Sequence, residues 1–76
     1  MAYNNNFKFE IVQNIAILSI EKSGWTKELN LISFNDAPPK YDLRTWDPEH
    51  RKMGKGITLS KSEMAVLIEA LEHLEL

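Results

Sequence analysis

The spacing of apolar residues changes once along the chain, at Ser60. Beyond it, apolar residues recur at helical intervals and form one stripe, made of Met64, Leu67, Ile68, Leu71 and Leu74. Ser60 and Glu63 make the S-x-x-E pattern of a capping box, in which each side chain accepts a hydrogen bond from the other residue's backbone. The pattern predicts a C-terminal amphipathic helix that begins at Ser60.

The residues before Ser60 have the alternation and turn residues of short antiparallel strands. We predict β segments over residues 7–13, 15–21, 27–34, 40–46 and 56–59. Asn14 marks a bend or bulge between the first two, and polar loops are predicted at 35–39 and 47–56. An antiparallel sheet can pack one face on a core and leave the other uncovered. The order therefore predicts an α+β fold with the helix on one face.

The chain has 76 residues and no cysteine, so we expect residues 1–76 to form a single domain without disulfides. A domain this small buries only about 60% of its unfolded surface, and self-association is a usual source of further stability. The N-terminal residues lack the pattern of a signal peptide, and no apolar run is long enough to cross a bilayer. The expected location is the cytoplasm.

Charge is divided unevenly along the chain. The formal net charge is −2, but residues 60–76 carry one lysine and four glutamates, whereas residues 40–55 carry five basic and three acidic residues. A modest basic region thus precedes an acidic helix. Charge alone only weakly supports a nucleic-acid partner, which usually selects a strongly basic surface.

The segment "NLISFNDAPPKYDLRTW", residues 30–46, predicts two strands joined by a loop. If Phe34 pairs with Asp42 across that loop, alternation places Asn30, Phe34, Arg44 and Trp46 on one face. Leu29, Leu31, Tyr41 and Leu43 then face the helix. Aromatic residues of a small sheet most often belong to a core. Beside basic and amide groups on an uncovered face, they also suit single-stranded nucleic acid, whose bases stack on aromatic rings.

Four motifs, in order and at matching spacing, give the chain a family resemblance. "GWTKELN", "NDAPPKYD", "RTW" and "KMGKGITLS" resemble those of the small bacterial YdbC-type relatives of the transcriptional coactivator called positive cofactor four. The resemblance covers about residues 7–72. It implies a strongly bent four-stranded antiparallel sheet followed by one helix, assembled as a homodimer that binds single-stranded DNA with little sequence preference.

The resemblance also implies which residues contact DNA. The arginine and aromatic positions of the family match Arg44, Trp46 and Phe34, and its lysines correspond to Lys27, Lys40 and Lys55. Trp25 lies in the matched "GW" at a turn. The nucleic-acid-binding residues expected from the face and the resemblance together are Trp25, Lys27, Asn30, Phe34, Lys40, Arg44, Trp46 and Lys55.

No motif of the sequence indicates catalysis or a bound cofactor. "GKGITLS" lacks the spacing of a phosphate-binding loop. His50 and His73 have no further histidine or cysteine at metal-ligand spacing. We therefore expect a non-enzymatic accessory factor of transcription, replication or repair that works without metal or cofactor. The sequence leaves open RNA as the ligand, and also a protein-interaction adaptor that uses the sheet edge or the acidic helix.

Overall fold

A computed structural model describes residues 7–75 of the chain. It contains four strands and one helix: β1 (Phe9–Ile20), β2 (Thr26–Phe34), β3 (Lys40–Trp46), β4 (Met53–Leu59) and α1 (Lys61–Glu72). The strands pair antiparallel in the order β1-β2-β3-β4. The predicted α+β fold, a four-stranded antiparallel sheet followed by one helix, is confirmed. Within residues 7–75, no helix is long and apolar enough to span a membrane.

The first two predicted β segments are one strand. β1 runs for 12 residues through Asn14, so the prediction of two separate segments was wrong. The predicted irregularity at Asn14 is confirmed, since the pairing of β1 with β2 shifts between Asn14 and Ala16, and again nearer each end of the strand. Each bulge adds a residue on one side of the ladder and increases the local bend and twist. The irregular positions therefore allow one long strand to follow a curved sheet.

The register between β2 and β3 differs from the predicted one. Asn30 pairs with Asp42 and Ile32 with Lys40, so the prediction that Phe34 pairs with Asp42 was wrong by four residues. The chain reverses earlier than expected, because Asn35 and Asp36 both adopt left-handed backbone conformations (φ 51° and 65°). The residues opposite the end of β2 are then prolines, which cannot donate ladder hydrogen bonds. Because the observed register differs from the predicted one by an even number of residues, the residues predicted to share a face still do so.

β4 begins at Met53, three residues earlier than the predicted segment 56–59. Gly54 was predicted in the loop and Gly56 at the junction of loop and strand, but both lie within β4 and allow close approach to β3. A Cβ atom at Gly56 would collide with the Cβ atom of Arg44, and one at Gly54 with the hydroxyl oxygen of Thr45. Glycine is required at these positions by packing, not by a turn.

The two faces of the sheet have different chemistry. We call the side that carries alternate residues of β2 and β3, with Thr58 of β4, the inner face; it includes Glu28, Asn30, Ile32, Phe34, Lys40, Asp42, Arg44, Trp46 and Thr58. We call the opposite side the helix face, because Leu29, Tyr41, Leu43 and Leu59 line a groove together with α1. Of the four residues predicted to face the helix, all but Leu31 line that groove.

The inner face is deeply buried although α1 lies on the other side. Asn30, Ile32, Asp42 and Trp46 are all 0% exposed. A flat sheet would leave an uncovered face open to solvent, so burial of this kind requires the sheet to bend around the inner face, as the bulges of β1 allow. The bent sheet expected from the family resemblance is therefore present.

Helix α1 begins as predicted. The Ser60 hydroxyl accepts a hydrogen bond from the Glu63 backbone N–H at 3.1 Å, and the Glu63 carboxylate accepts one from the Ser60 N–H at 2.8 Å. Met64 is the one buried residue of the helix. Leu67, Ile68 and Leu71 remain between 43% and 54% exposed, so the apolar stripe of the helix is only partly covered by its own sheet.

We expect Gly56→Ala to destabilise the domain, because the added methyl group must displace the backbone of β3 or the Cβ atom of Arg44. Overpacking of this kind costs about 1–3 kcal/mol, measurable by chemical denaturation. Lys55→Ala, at the exposed position between the two glycines, is the matched control and should change the free energy of unfolding by less than about 0.5 kcal/mol. Equal stability of the two variants would contradict the packing assigned to Gly56.

Candidate nucleic-acid interface

A row of aromatic rings extends along the inner face. Phe34 lies 6.3 Å from Phe7 between ring centroids, Phe7 lies 6.5 Å from Phe9, and Phe9 lies 5.3 Å from Trp46. The ring of His50 stacks on Trp46 at 5.4 Å with an interplanar angle of 27°. Phe34 ends β2 and pairs with Phe9 of β1, so two strands contribute adjacent rings. We call these five residues the aromatic row.

Exposure is unequal along the aromatic row. Phe7 is 49% exposed and Phe34 is half-buried, so this end presents ring surface. Trp46 is 0% exposed, whereas the sequence led us to expect a free ring. Alternation gives the face on which a side chain lies but not what else covers that face. Here Phe9 and His50 cover the indole.

Glu28 is a buried carboxylate next to the aromatic row, 2% exposed. Its oxygens accept hydrogen bonds from the Thr26 hydroxyl at 2.6 Å and from the side-chain amides of Asn30 and Asn14 at 3.1 and 3.2 Å. Nε2 of His50 lies 2.7 Å from the second carboxylate oxygen. Residues of β1, β2 and the β3–β4 loop therefore converge on one acidic group.

These contacts decide the ionisation of Glu28. Burial alone would raise the pKa of the carboxyl, but hydrogen bonds from Thr26, Asn30 and His50, together with the charge of a protonated His50, hold the pKa below its ordinary value of 4.5. The group is therefore a carboxylate at neutral pH, and it attracts a protonated imidazole.

Arg44 and Asp42 form a second polar cluster on the inner face. Nε and Nη2 of Arg44 donate to the two oxygens of Asp42 at 2.6 and 2.7 Å, and the Thr58 hydroxyl donates to the same carboxylate at 3.0 Å. The side chain of Arg44 is 16% exposed and that of Asp42 is 0% exposed. The guanidinium is thus engaged within the protein, in the bidentate geometry that carboxylates favour.

The expected binding residues do not all lie together. Register places Asn30, Phe34, Lys40, Arg44 and Trp46 on the inner face. Asn30 is fully buried and hydrogen-bonded to Glu28 and Asn14.

Trp25 and Lys27 alternate with Thr26 and lie on the opposite side of β2, where Trp25 approaches Gly54. Lys55 is exposed in β4. In the part of the chain that the structure describes, Lys27, Lys40 and Lys55 have no carboxylate within ion-pair distance.

The loop of residues 47–52 is organised around Asp47. Its carboxylate accepts hydrogen bonds from the backbone N–H groups of Lys52, Arg51 and Glu49 at 2.6, 2.7 and 3.3 Å. The hydrogen bond from the Lys52 N–H contributes most to the lowered pKa of Asp47; burial acts in the opposite direction, and the bonds from Glu49 and Arg51 lower the pKa further. His50 occupies the left-handed region with φ 58°. The loop therefore has a defined internal structure that directs His50 toward Glu28.

The helix face contains an apolar groove of about 330 Å³. Apolar residues of β1 and α1 line it, together with Leu29, Tyr41, Leu43 and Leu59 of the helix face. Leu18 of β1 and Ile68 and Leu71 of α1 line it and are 55%, 50% and 54% exposed. An open groove of this composition is typical of a surface that another protein surface covers.

These features define a class of small protein, which has one antiparallel sheet and one helix, with an apolar groove on one face of the sheet and an aromatic row on the other. Residues 21–70 match the family described as Transcriptional Coactivator p15 (PC4). The chain is also similar to an uncharacterized protein of Treponema pallidum (strain Nichols), with 42% identity over 73 residues that cover 96% of this chain and 86% of that protein. The chain belongs to the PC4 family, and the predicted resemblance is confirmed.

Sequence reasoning missed Phe7, Phe9, Glu28 and His50 as parts of the site. "FKF" indicated a strand but not its position beside Phe34. Three register shifts in β1 interrupt the simple alternation from which the face of each residue is predicted. Glu28 and His50 are 22 residues apart, and no local pattern connects them. The one available signal was the alternation of Glu28 with Asn30, which places both on the face already proposed.

The ionisation of Glu28 predicts how the stability lost in Glu28→Gln depends on pH. Because its pKa is lowered in the folded state, the carboxylate contributes stability above the ordinary value of 4.5, and this contribution is lost as the pH falls through the folded-state pKa. Near neutral pH, the variant should be less stable than wild type by about 1–3 kcal/mol. The difference should shrink in acid, measured by denaturation at several pH values beside the exposed-residue control Glu72→Gln. A difference that is constant with pH would contradict the assignment.

Proposed function

We propose that this protein is a non-catalytic single-stranded-DNA-binding protein with little sequence preference. Membership of the PC4 family supports a nucleic-acid partner, and the inner face supports single strands in particular. Bases of a single strand expose flat surfaces that stack on aromatic rings, whereas a duplex hides them. Such a protein acts as an accessory factor in transcription, replication or repair, at the nucleoid in the cytoplasm.

The observation that carries this proposal is the aromatic row on a face that the helix leaves uncovered. Neighbouring rings are 5.3 to 6.5 Å apart, and the end formed by Phe7 and Phe34 presents ring surface. A strand that crosses this end can place bases on the two rings. Each stacked base contributes about 1–3 kcal/mol, and stacking does not require a particular base.

Lysines are the proposed phosphate contacts. Lys40 is the main one, because it lies at the start of β3 on the inner face; Lys55 is exposed on β4, and Lys27 is exposed on the opposite side of β2. Arg44 serves the site differently, because its guanidinium is bound to Asp42 and holds the inner face together. With few phosphate contacts, affinity should fall with salt less steeply than for a strongly basic protein.

We also propose that the functional unit is a homodimer formed through the helix face. The apolar groove and the exposed stripe of α1 together leave apolar side chains exposed next to one another, which commonly marks a protein–protein interaction site. A second copy offers the same apolar groove and stripe, which a symmetric contact can cover mutually. The two inner faces then remain free for DNA.

Replacement of Phe34 tests the stacking surface. Phe34→Leu keeps an apolar side chain but removes the ring, and we expect it to weaken binding of a short oligothymidine at least about fivefold, from the energy of one stacked base. Phe34→Tyr keeps the ring and should remain within about twofold of wild type. Fluorescence anisotropy at low and moderate salt, with matched duplex as competitor, measures both variants. Equal affinity of the leucine and tyrosine variants would count against stacking at Phe34.

Replacement of Ile68 tests the helix face. Ile68→Glu places a charge in the apolar groove and should convert the dimer into a monomer in sedimentation equilibrium, since burial of an unpaired carboxylate is costly. Val66→Glu is the matched control, because Val66 is 69% exposed and does not line the groove. Wild-type protein that sediments as a monomer would refute the homodimer and favour an adaptor that binds another protein through this groove.

A further inference from the structure

Trp46 is the fully buried ring of the aromatic row. Its indole Nε1 is the one fully buried side-chain nitrogen or oxygen, among the residues the structure describes, that has no hydrogen-bond partner. Buried donors are nearly always satisfied, because an unpaired one loses its bond to water without replacement. A ring surface and an unpaired donor therefore lie together within the aromatic row, both inaccessible in this conformation.

On the side of the 47–52 loop, the ring of His50 lies directly over the indole of Trp46. Phe9 packs against the indole from within the sheet, but on the loop side the ring of His50 stacks on it and is itself 38% exposed. Displacement of His50 would therefore open one side of Trp46 to solvent without disturbing the strands that hold it.

His50 is held in place by a single polar contact to the sheet. Nε2 lies 2.7 Å from the Glu28 carboxylate. The other hydrogen bonds described for side chains of the loop 47–52 are internal to the loop, and most of them converge on Asp47. The loop can consequently keep its own structure while the contact between His50 and Glu28 breaks.

We propose that His50 covers Trp46, one of the DNA-contacting residues expected from the family resemblance, in the free protein and leaves it when single-stranded DNA binds. The exposed indole then stacks on a base, and Nε1 donates to an oxygen of the bound strand. This inference rests on the proposed single-strand binding and adds a conformational step to it. Glu28 is a positioning residue, since it holds His50 on Trp46 and does not itself contact DNA.

The step has a measurable consequence for affinity. If only the open form binds at Trp46, the apparent dissociation constant equals the intrinsic one divided by the open fraction. Removal of the His50 ring should therefore strengthen binding. A residue that contacted DNA directly, or that merely supported the fold, would weaken binding or leave it unchanged when removed.

The quenching measurements use Trp25→Phe as a common background, so that Trp46 is the only tryptophan, and the affinities are measured without that substitution. His50→Gly accepts the left-handed backbone without strain, and His50→Asn also tolerates it but is too short to reach Glu28. His73→Ala, at the exposed end of α1, is the control. For each protein, acrylamide quenching of the free form and affinity for oligothymidine and for an abasic strand of equal length are measured.

Both His50 variants should show at least about twofold stronger quenching and about threefold tighter binding of oligothymidine. His73→Ala should change neither quantity. If the indole stacks on a base, the His50 variants should bind the abasic strand no more tightly than the unaltered protein does. An equal increase in affinity for both strands would overturn the base-binding site. Unchanged or weaker oligothymidine binding by both His50 variants would overturn the proposed cover while single-strand binding stands. No oligothymidine binding by the unaltered chain would overturn both proposals.

Discussion

The inner face of this sheet is held together by paired charges where an apolar core is usual. Asp42 is 0% exposed and accepts two hydrogen bonds from Arg44 and one from Thr58. Removal of one partner would leave a buried charge without compensation, which is strongly destabilising. Because Thr58 of β4 donates to the Asp42 carboxylate of β3, the contact also fixes the position of β4, whose glycines allow close approach to β3. The pair thus ties β4 to the inner face of the bent sheet.

From that bend follows a division of roles between the two faces. A bent sheet encloses its polar and aromatic residues on the inner side and presents aliphatic residues on the outer side. The helix covers the outer side only in part, leaving the groove that includes Leu43 and Ile68. In our account the groove is covered by a second copy, and the inner face binds a flexible strand. The same curvature therefore supports both assembly and binding.

The sequence predicted the elements and the faces better than it predicted exposure. Ser60 and Glu63 located the helix start, because a capping box is a local signal. The faces of β2 and β3 were predicted despite a register error of four residues, since side-chain direction depends only on whether the count is odd or even. The burial of Trp46 could not be predicted, because its cover comes from Phe9, across bulged pairing, and from His50 in a left-handed loop conformation.

The most direct test of the central claim, that the inner face receives the strand, is a titration of isotope-labelled protein with short oligothymidine, followed by amide chemical shifts in NMR spectra. We expect the largest changes at Phe7, Phe34, Lys40 and the loop containing His50, with small changes along α1. The largest changes at Leu67, Ile68 or elsewhere on the helix face, with the aromatic row unaffected, would contradict it.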